Sequence, residues 1–135
     1  MEHSELIAET DLEGVRTIAE AVLDRLPVKV LKAPAPGMVM VRHVDPLERT
    51  PYYLGEAYVT ECEIEVDGVL GYGCCLGNEE ERALCGALVD AVMAGNNAFR
   101  GILARLLAEE ERRISARREI EEKAVAGTRV DFETR

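Results

Sequence analysis

The sequence predicts an α+β fold: an antiparallel β-sheet of about four strands with helices packed on one face, a long C-terminal helix and an extended tail. Two observations indicate this. Asp67-Gly68 separates two strand-like segments, and this dipeptide favours a two-residue type I′ hairpin turn. Residues 11–26, 79–94 and 97–125 repeat apolar side chains at helical spacing. We interpret residues 1–135 as one domain, because that length fits a single hydrophobic core.

Composition and charge exclude several classes of binding partner. The formal net charge is −10 at pH 7, and a surface that acidic repels nucleic-acid phosphates and anionic lipids. We therefore expect neither a nucleic-acid partner nor a membrane partner. The first residues are acidic with no following apolar run, which is unlike a signal peptide. The four cysteines form no C-x-x-C pair, so we expect free thiols in a reducing cytoplasm.

The first half of the chain predicts one helix and two strands. Residues 11–26 form an amphipathic helix, which Thr10 or Asp11 caps and Pro27 ends. Residues 28–33 are expected to be a short edge strand. Pro34-Ala35-Pro36-Gly37 is typical of a turn, and 38–44 then form a β-branched central strand.

The hairpin that follows has a fixed register. Residues 53–66 alternate polar and apolar, which predicts a strand with one wet face, and 69–76 return. A two-residue turn places Cys62 opposite Gly73 and Ile64 opposite Gly71. Glycines on one strand face indicate close approach of another element.

The helix at 79–94 is the expected partner of that glycine face. Asn78 is predicted to cap it with Glu81 in a capping box. Its alanines would pack on Gly71 and Gly73. Asp90 is expected to be buried among these small residues, where it must pair with Arg42 or cap backbone amides.

The last helix is expected to project. A helix over 97–125 would be about 43 Å long, against roughly 30 Å for the domain. Its second half is polar nearly all round, which is typical of a helix in solvent or bridging to another chain. We therefore assign partner contact to the arm from about residue 108. Residues 128–135 would form an extended tail able to add a strand to another sheet.

Catalytic constellations are weak. His43 beside Asp45 could be a base, but no nucleophile accompanies it. The row Glu61, Glu63 and Glu65 could bind a divalent ion, although a solvated strand face explains it more simply. Nucleotide-binding loops and zinc-protease motifs are absent from the sequence.

Four segments resemble the PhnG family of the bacterial carbon–phosphorus lyase system. They are GMVMVR, LGEAYVTECEIEVDGVLGYGCCLG, ALVDAVMAG and VAGTRVDFETR. The resemblance covers about residue 30 to the end. It departs at Glu133-Thr134-Arg135, where the family more often continues with an aromatic residue and a methionine.

The resemblance implies an accessory, non-catalytic subunit in organic phosphonate catabolism. Its complex makes α-D-ribose 1-methylphosphonate 5-triphosphate from ATP and an alkylphosphonate. The implied partners are PhnI-, PhnH-, PhnJ- and PhnL-type subunits, and PhnI-type subunits carry the nucleosidase chemistry. ATP and magnesium are implied for the complex, whereas no cofactor, metal or catalytic residue is implied for this chain.

The residues that match the family fall into two groups. The matched residues without an assigned role are Arg42, Gly55, Glu56, Thr60, Glu61, Gly71, Gly73, Gly77 and Asp90. The residues expected to bind a partner are Thr128, Arg129, Val130, Asp131 and Phe132. Two alternatives remain open. One is a stand-alone phosphonate- or nucleotide-processing enzyme using His43, Asp45 and Glu61, and the other is a homodimeric adaptor of an unrelated pathway.

Overall fold

The α+β prediction is confirmed by the computed structural model, which describes the backbone of residues 1–133 and the side chains of residues 1–126. The elements are α1 (His3–Glu9), α2 (Leu12–Leu23), β1 (Val28–Val44), β2 (Pro51–Val66), β3 (Val69–Leu76), α3 (Glu80–Ala94) and α4 (Arg100–Glu133). The sheet is antiparallel with the order β1-β2-β3. No helix in the described backbone is long and apolar enough to cross a membrane.

The sheet has three strands instead of about four, because β1 runs through the predicted turn. Pro34 lies within a register shift between Lys32 and Ala35, and Pro36 pairs with Thr60. β1 lies at an edge of the sheet, and an edge strand tolerates proline at a bulge or where no ladder donor is needed. The two predicted strands are therefore one long strand.

The hairpin between β2 and β3 forms as predicted. Asp67 and Gly68 both have positive φ, at 49° and 82°, as a type I′ turn requires. Cys62 pairs with Gly73 and Ile64 with Gly71, so the register is confirmed. Alternate β2 residues are then buried under α3: Cys62, Ile64 and Val66.

Helix α3 lies at the centre of the molecule. Its inner side packs on β2 and β3, while α1, α2 and α4 pack on its other side. Ala83, Ala87 and Ala91 meet the glycines of β3. Leu88 and Val92 belong to the same core cluster as Leu103 of α4. A helix covered on two sides carries apolar residues on more than one stripe.

The N-terminus of α3 differs from the prediction. Its N-cap is Glu79, without a side-chain cap, so the capping box of Asn78 and Glu81 was wrong. The backbone N–H of Glu79 instead donates to Oγ1 of Thr60, at 2.9 Å. Glu81 pairs with Arg16 of α2. A contact between residues far apart in sequence has replaced a local cap.

Two helices precede the sheet, of which only α2 was predicted. Asp11 is the α2 cap and accepts from Gly14 N at 2.8 Å. The seven-residue helix α1 buries Leu6 and Ile7. Its C-terminal carbonyls are held by Arg82, which donates to Ile7 and Thr10. That arginine belongs to α3, so α1 is stabilised by tertiary contacts instead of by local propensity.

Helix α4 is longer than predicted. It spans 34 residues, or about 51 Å, and begins after an Asn97 side-chain cap on Phe99 N. The backbone is helical to Glu133, so the extended tail predicted after Gly127 was wrong over that range. One glycine weakens a helix by about 1 kcal/mol but does not end it, and no proline follows.

Candidate functional site

The most exposed feature is a two-stranded ribbon beyond the third strand. β3 pairs with β2 only as far as Val59 opposite Leu76. Residues 38–44 of β1 and 51–58 of β2 continue to pair with each other alone. Seven residues of strand extend roughly 23 Å. We call these two segments and the 45–50 turn between them the ribbon.

Apolar and aromatic side chains cover the ribbon. Three of the four tyrosines of the chain lie on it. Its exposed large apolar residues are Met38, Met40, Val41, Val44, Leu47, Tyr52, Tyr53, Leu54 and Tyr58. Tyr58 is 71% exposed, Leu54 64% and Met40 60%. Residues 38–44 were predicted to form a central strand, and the density of tyrosines was the signal that could have suggested an exposed surface.

Three of the matched residues without an assigned role lie on the ribbon. Arg42 lies opposite Tyr53 and is exposed, and Glu56 lies opposite Met40. Gly55 has φ of +148°, and a Cβ there would touch nothing within 4 Å. The register shifts between Val41 and Arg42, opposite this glycine. The glycine is therefore needed for a bulge that twists the ribbon and not for packing within this chain.

Thr60 and Gly77 join the hairpin to α3. The Thr60 hydroxyl donates to the carbonyl oxygen of Gly77 at 2.6 Å and accepts from Glu79 N. Thr60 is buried, and Gly77 has φ of +80°. Gly77 N also donates to Tyr58 O at 2.9 Å. Thr60 and Gly77, two of the matched residues, therefore position the first turn of α3.

Glu61 forms hydrogen bonds to both neighbouring strands on the outer face of the sheet. Its carboxylate accepts from Tyr72 Oη at 2.7 Å and from Lys32 Nζ at 3.1 Å, which links all three strands. The Tyr72 hydrogen bond, with Lys32, lowers the pKa of Glu61 below its ordinary value. The same bond raises the pKa of Tyr72 well above its ordinary value. Glu61 thus has a structural partner on each neighbouring strand.

Gly71, Gly73 and Asp90 lie where β3 meets α3. A Cβ on Gly71 would come within 2.2 Å of Ala87 O, so the predicted close approach is confirmed. Asp90 is exposed, contrary to expectation, and accepts from Tyr72 N at 2.9 Å. It caps a backbone amide, one of the two roles considered, while Arg42 lies on the ribbon. Capping a donor on the outer edge of β3 protects that edge from further pairing.

The outer half of α4 is a second projecting surface. Ile114 is the last buried side chain of the described part, and Arg118 pairs with Glu5 and Glu9 of α1. All side chains from 119 to 126 are exposed. The predicted partner residues Thr128, Arg129, Val130, Asp131 and Phe132 lie outside the described side chains.

The structure does not bring together the residues of the stand-alone enzyme. His43 pairs with Tyr52 near the ribbon tip and makes an edge contact with its ring, 5.5 Å between centroids. Glu61 lies opposite Ala35, eight positions along β1 from His43. That spacing corresponds to roughly 26 Å of strand. Asp45 accepts from Leu47 N within the turn.

Three of the four thiols are poor nucleophiles because they are buried or half-buried. All four cysteines are free. Burial raises the pKa of Cys62, Cys75 and Cys85, the last to about 12. A thiol with a raised pKa stays protonated near neutral pH and is a poor nucleophile. Among the described residues, no group of three or more His, Cys, Asp or Glu side chains could hold a metal ion.

The fold and its surfaces define a class of protein: a small α+β chain with one buried hydrophobic core and two projecting surfaces. Among its described residues, the candidate catalytic side chains do not lie together. Comparison with known proteins specifies the family. A family profile described as "Phosphonate metabolism protein PhnG" matches residues 2–135. The "Alpha-D-ribose 1-methylphosphonate 5-triphosphate synthase subunit PhnG" of Rhizobium meliloti (strain 1021) is 34% identical, over 90% of this chain and 85% of that protein. The chain belongs to the PhnG family.

Proposed function

We propose that this chain is an accessory subunit of an α-D-ribose 1-methylphosphonate 5-triphosphate synthase in organic phosphonate catabolism. The observation that carries the proposal is the match of residues 2–135 to the PhnG family. The similar Rhizobium protein is named as a subunit of that synthase. The match spans the projecting regions as well as the core.

The surface of the chain supports a role in assembly. The side chains from 119 to 126 are exposed on a helix that reaches far past the core. Ile120 is 69% exposed and Val125 half exposed on this arm. A helix that is polar nearly all round and extends past its own core is suited to bridging to another chain. The proposed partners are PhnI-, PhnH-, PhnJ- and PhnL-type subunits, with the PhnI-type subunit in direct contact.

The proposal assigns the chemistry to other subunits. ATP and magnesium belong to the complex, and this chain contributes binding surface instead of a reacting group. His43 and Glu61 lie far apart, which argues against the alternative of a stand-alone enzyme. We place the assembly in the cytoplasm, where its substrate ATP is found and free thiols persist.

Co-expression with the partner subunits tests the proposal. We would purify the complex with and without this chain and follow adenine release from ATP in the presence of methylphosphonate and magnesium. The chain should co-purify with the PhnI-type subunit, and the complete complex should be more active than the complex without it. Adenine release by this chain alone, or failure to co-purify, would contradict the proposal.

A further inference from the structure

The ribbon continues the helix-covered face of the sheet into solvent. Thr60 faces α3, and Tyr58, two residues earlier, lies on the same side of β2. Met38 is paired with Tyr58 and Met40 with Glu56, so these side chains share that face. Met38, Met40 and Tyr58 are each more than half exposed. Apart from Glu56, which is exposed beside Met40, the face is apolar where no helix of this chain covers it.

The edges of the sheet differ in how they are protected against pairing with another strand. Asp90 caps an outward amide of β3. The first half of β1 carries Lys29, Lys32 and two prolines, the residues that block pairing at an edge. Residues 38–44 contain no proline and no lysine, and five of the seven are apolar. Arg42 is the one arginine of this segment, and an apolar edge segment with so little protection favours a partner.

Charge decides between a second copy and a different chain. The root of the face borders the α3 start, where Glu79, Glu80 and Glu81 follow one another. The turn at the far end carries Asp45, Glu48 and Arg49, a net charge of −1. Two stacked copies would bring these acidic ends together with a net charge of −10 on each chain, while Arg42 and Glu56 of the ribbon balance each other. A partner with an apolar groove and a basic rim meets no such repulsion.

We propose that the ribbon is a docking surface for a different chain of the complex, which covers Met38, Met40 and Tyr58 with an apolar groove rimmed by Arg or Lys. The site is distinct from the α4 arm. Which complex this chain joins rests on the proposed function. The inference that another chain covers the ribbon rests on the exposed face alone. The bulge at Gly55 sets the twist with which the face is presented.

Hydrogen exchange on the assembled complex tests this directly. Full-length chain would be compared alone and in complex with the PhnI-, PhnH- and PhnJ-type subunits. Amides of 38–44 and 51–58 should exchange at least tenfold more slowly in the complex, because a covered edge or face excludes water. Unchanged exchange in an intact complex would overturn the ribbon proposal without affecting the proposed function. Protection in the isolated chain that rises with its concentration would assign the face to a second copy and overturn the choice of partner.

Paired substitutions separate docking from folding. The double variant Met40→Thr/Tyr58→Thr keeps strand-forming residues while removing the apolar face, and should weaken binding to the complex roughly tenfold or more. Leu70→Thr is the matched control, because Leu70 is 67% exposed on β3 but lies off the ribbon. Both variants should keep the wild-type thermal midpoint. Equal binding by the double variant and the control would contradict the proposal.

Discussion

Gly73 and Ala83 approach so closely that a Cβ on Gly73 would lie 2.0 Å from the Ala83 carbonyl oxygen and 2.7 Å from Ala87 N. Both obstructing atoms are backbone, so no side-chain rotation relieves the clash. Gly73→Ala must push α3 away from β3 or distort the strand. We expect a loss of about 2–4 kcal/mol in the free energy of unfolding, measured in urea.

Gly101→Ala is the matched control for that substitution. Gly101 lies in the first turn of α4, and a Cβ there meets nothing within 4 Å. Alanine is favoured over glycine by up to ~1 kcal/mol in a helix interior and by less in the first turn. The two glycine substitutions should therefore shift stability in opposite directions. A Gly73→Ala protein as stable as wild type would show that the helix and the hairpin are not in close contact.

Thr60→Val should destabilise the junction between β2 and α3. The substitution keeps the shape of the side chain but removes the hydroxyl that bonds Gly77 O and Glu79 N. Gly77 is exposed and Glu79 is half-buried, so water can replace part of the lost bonding, and we expect a loss of about 0.5–1.5 kcal/mol in the free energy of unfolding. Thr60→Ser keeps the hydroxyl and should retain those two hydrogen bonds. If urea unfolding gave Val the higher stability of the two, the hydroxyl would not be the reason for the threonine.

Stability should fall in alkaline solution because of Cys85. Burial raises its pKa in the folded chain from 9.0 to about 12. Between those values the unfolded thiol loses its proton while the folded one keeps it, so stability is complete below pH 9 and declines towards pH 12. At pH 10 the loss from one such thiol is roughly 1.4 kcal/mol.

Urea unfolding at pH 8 and pH 10 measures that decline. Cys85→Ala should be less stable at pH 8, because it leaves a small cavity, but should lose less stability on going to pH 10. Cys62 and Cys75 also have raised pKa values, so part of the slope should remain. An identical decline in both proteins would rule out Cys85 as a source.

Local sequence signals predicted the centre of the fold well. Asp67-Gly68 determined the turn, the turn determined the register, and the register put Gly71 and Gly73 on one face for α3 to approach. Each of these steps depends on residues close in sequence or on backbone geometry. For the same reason the cap of α2 was narrowed to Thr10 or Asp11, and it is Asp11.

The predictions were wrong where a contact between residues far apart in sequence determines the local structure. Asn78 has the right type and position for a cap, yet Thr60 on β2 supplies the hydrogen bond to Glu79 N. Asp90 seemed surrounded by small residues, but it points to the outer edge of β3, where Tyr72 N needs an acceptor. Helix α1 is too short to show a reliable period and depends on Arg82 of α3.

The ribbon could not have been predicted from periodicity alone. A β-branched, apolar segment such as 38–44 fits a buried central strand as well as an exposed surface that a partner covers. What distinguishes a buried strand from an exposed one here is where β3 stops pairing with β2, which is at Leu76. Gly77 and the start of α3 determine that point. The family resemblance, in contrast, depended on residue identities such as Gly55-Glu56 and Gly71-Tyr72-Gly73, and it is confirmed.

We expect the surfaces that this chain leaves uncovered to be the surfaces that its partners bind. The most direct measurement is the affinity of the PhnI-type subunit for the chain truncated after Arg118, with Arg129→Ala and Phe132→Ala as point variants. Arg118 is the last residue of the described part paired to α1, so truncation should leave the thermal midpoint of the isolated chain nearly unchanged. We predict that binding of the truncated chain weakens by at least about tenfold, with smaller losses for the point variants. Wild-type affinity after truncation would show that the PhnI-type subunit does not bind the outer half of α4.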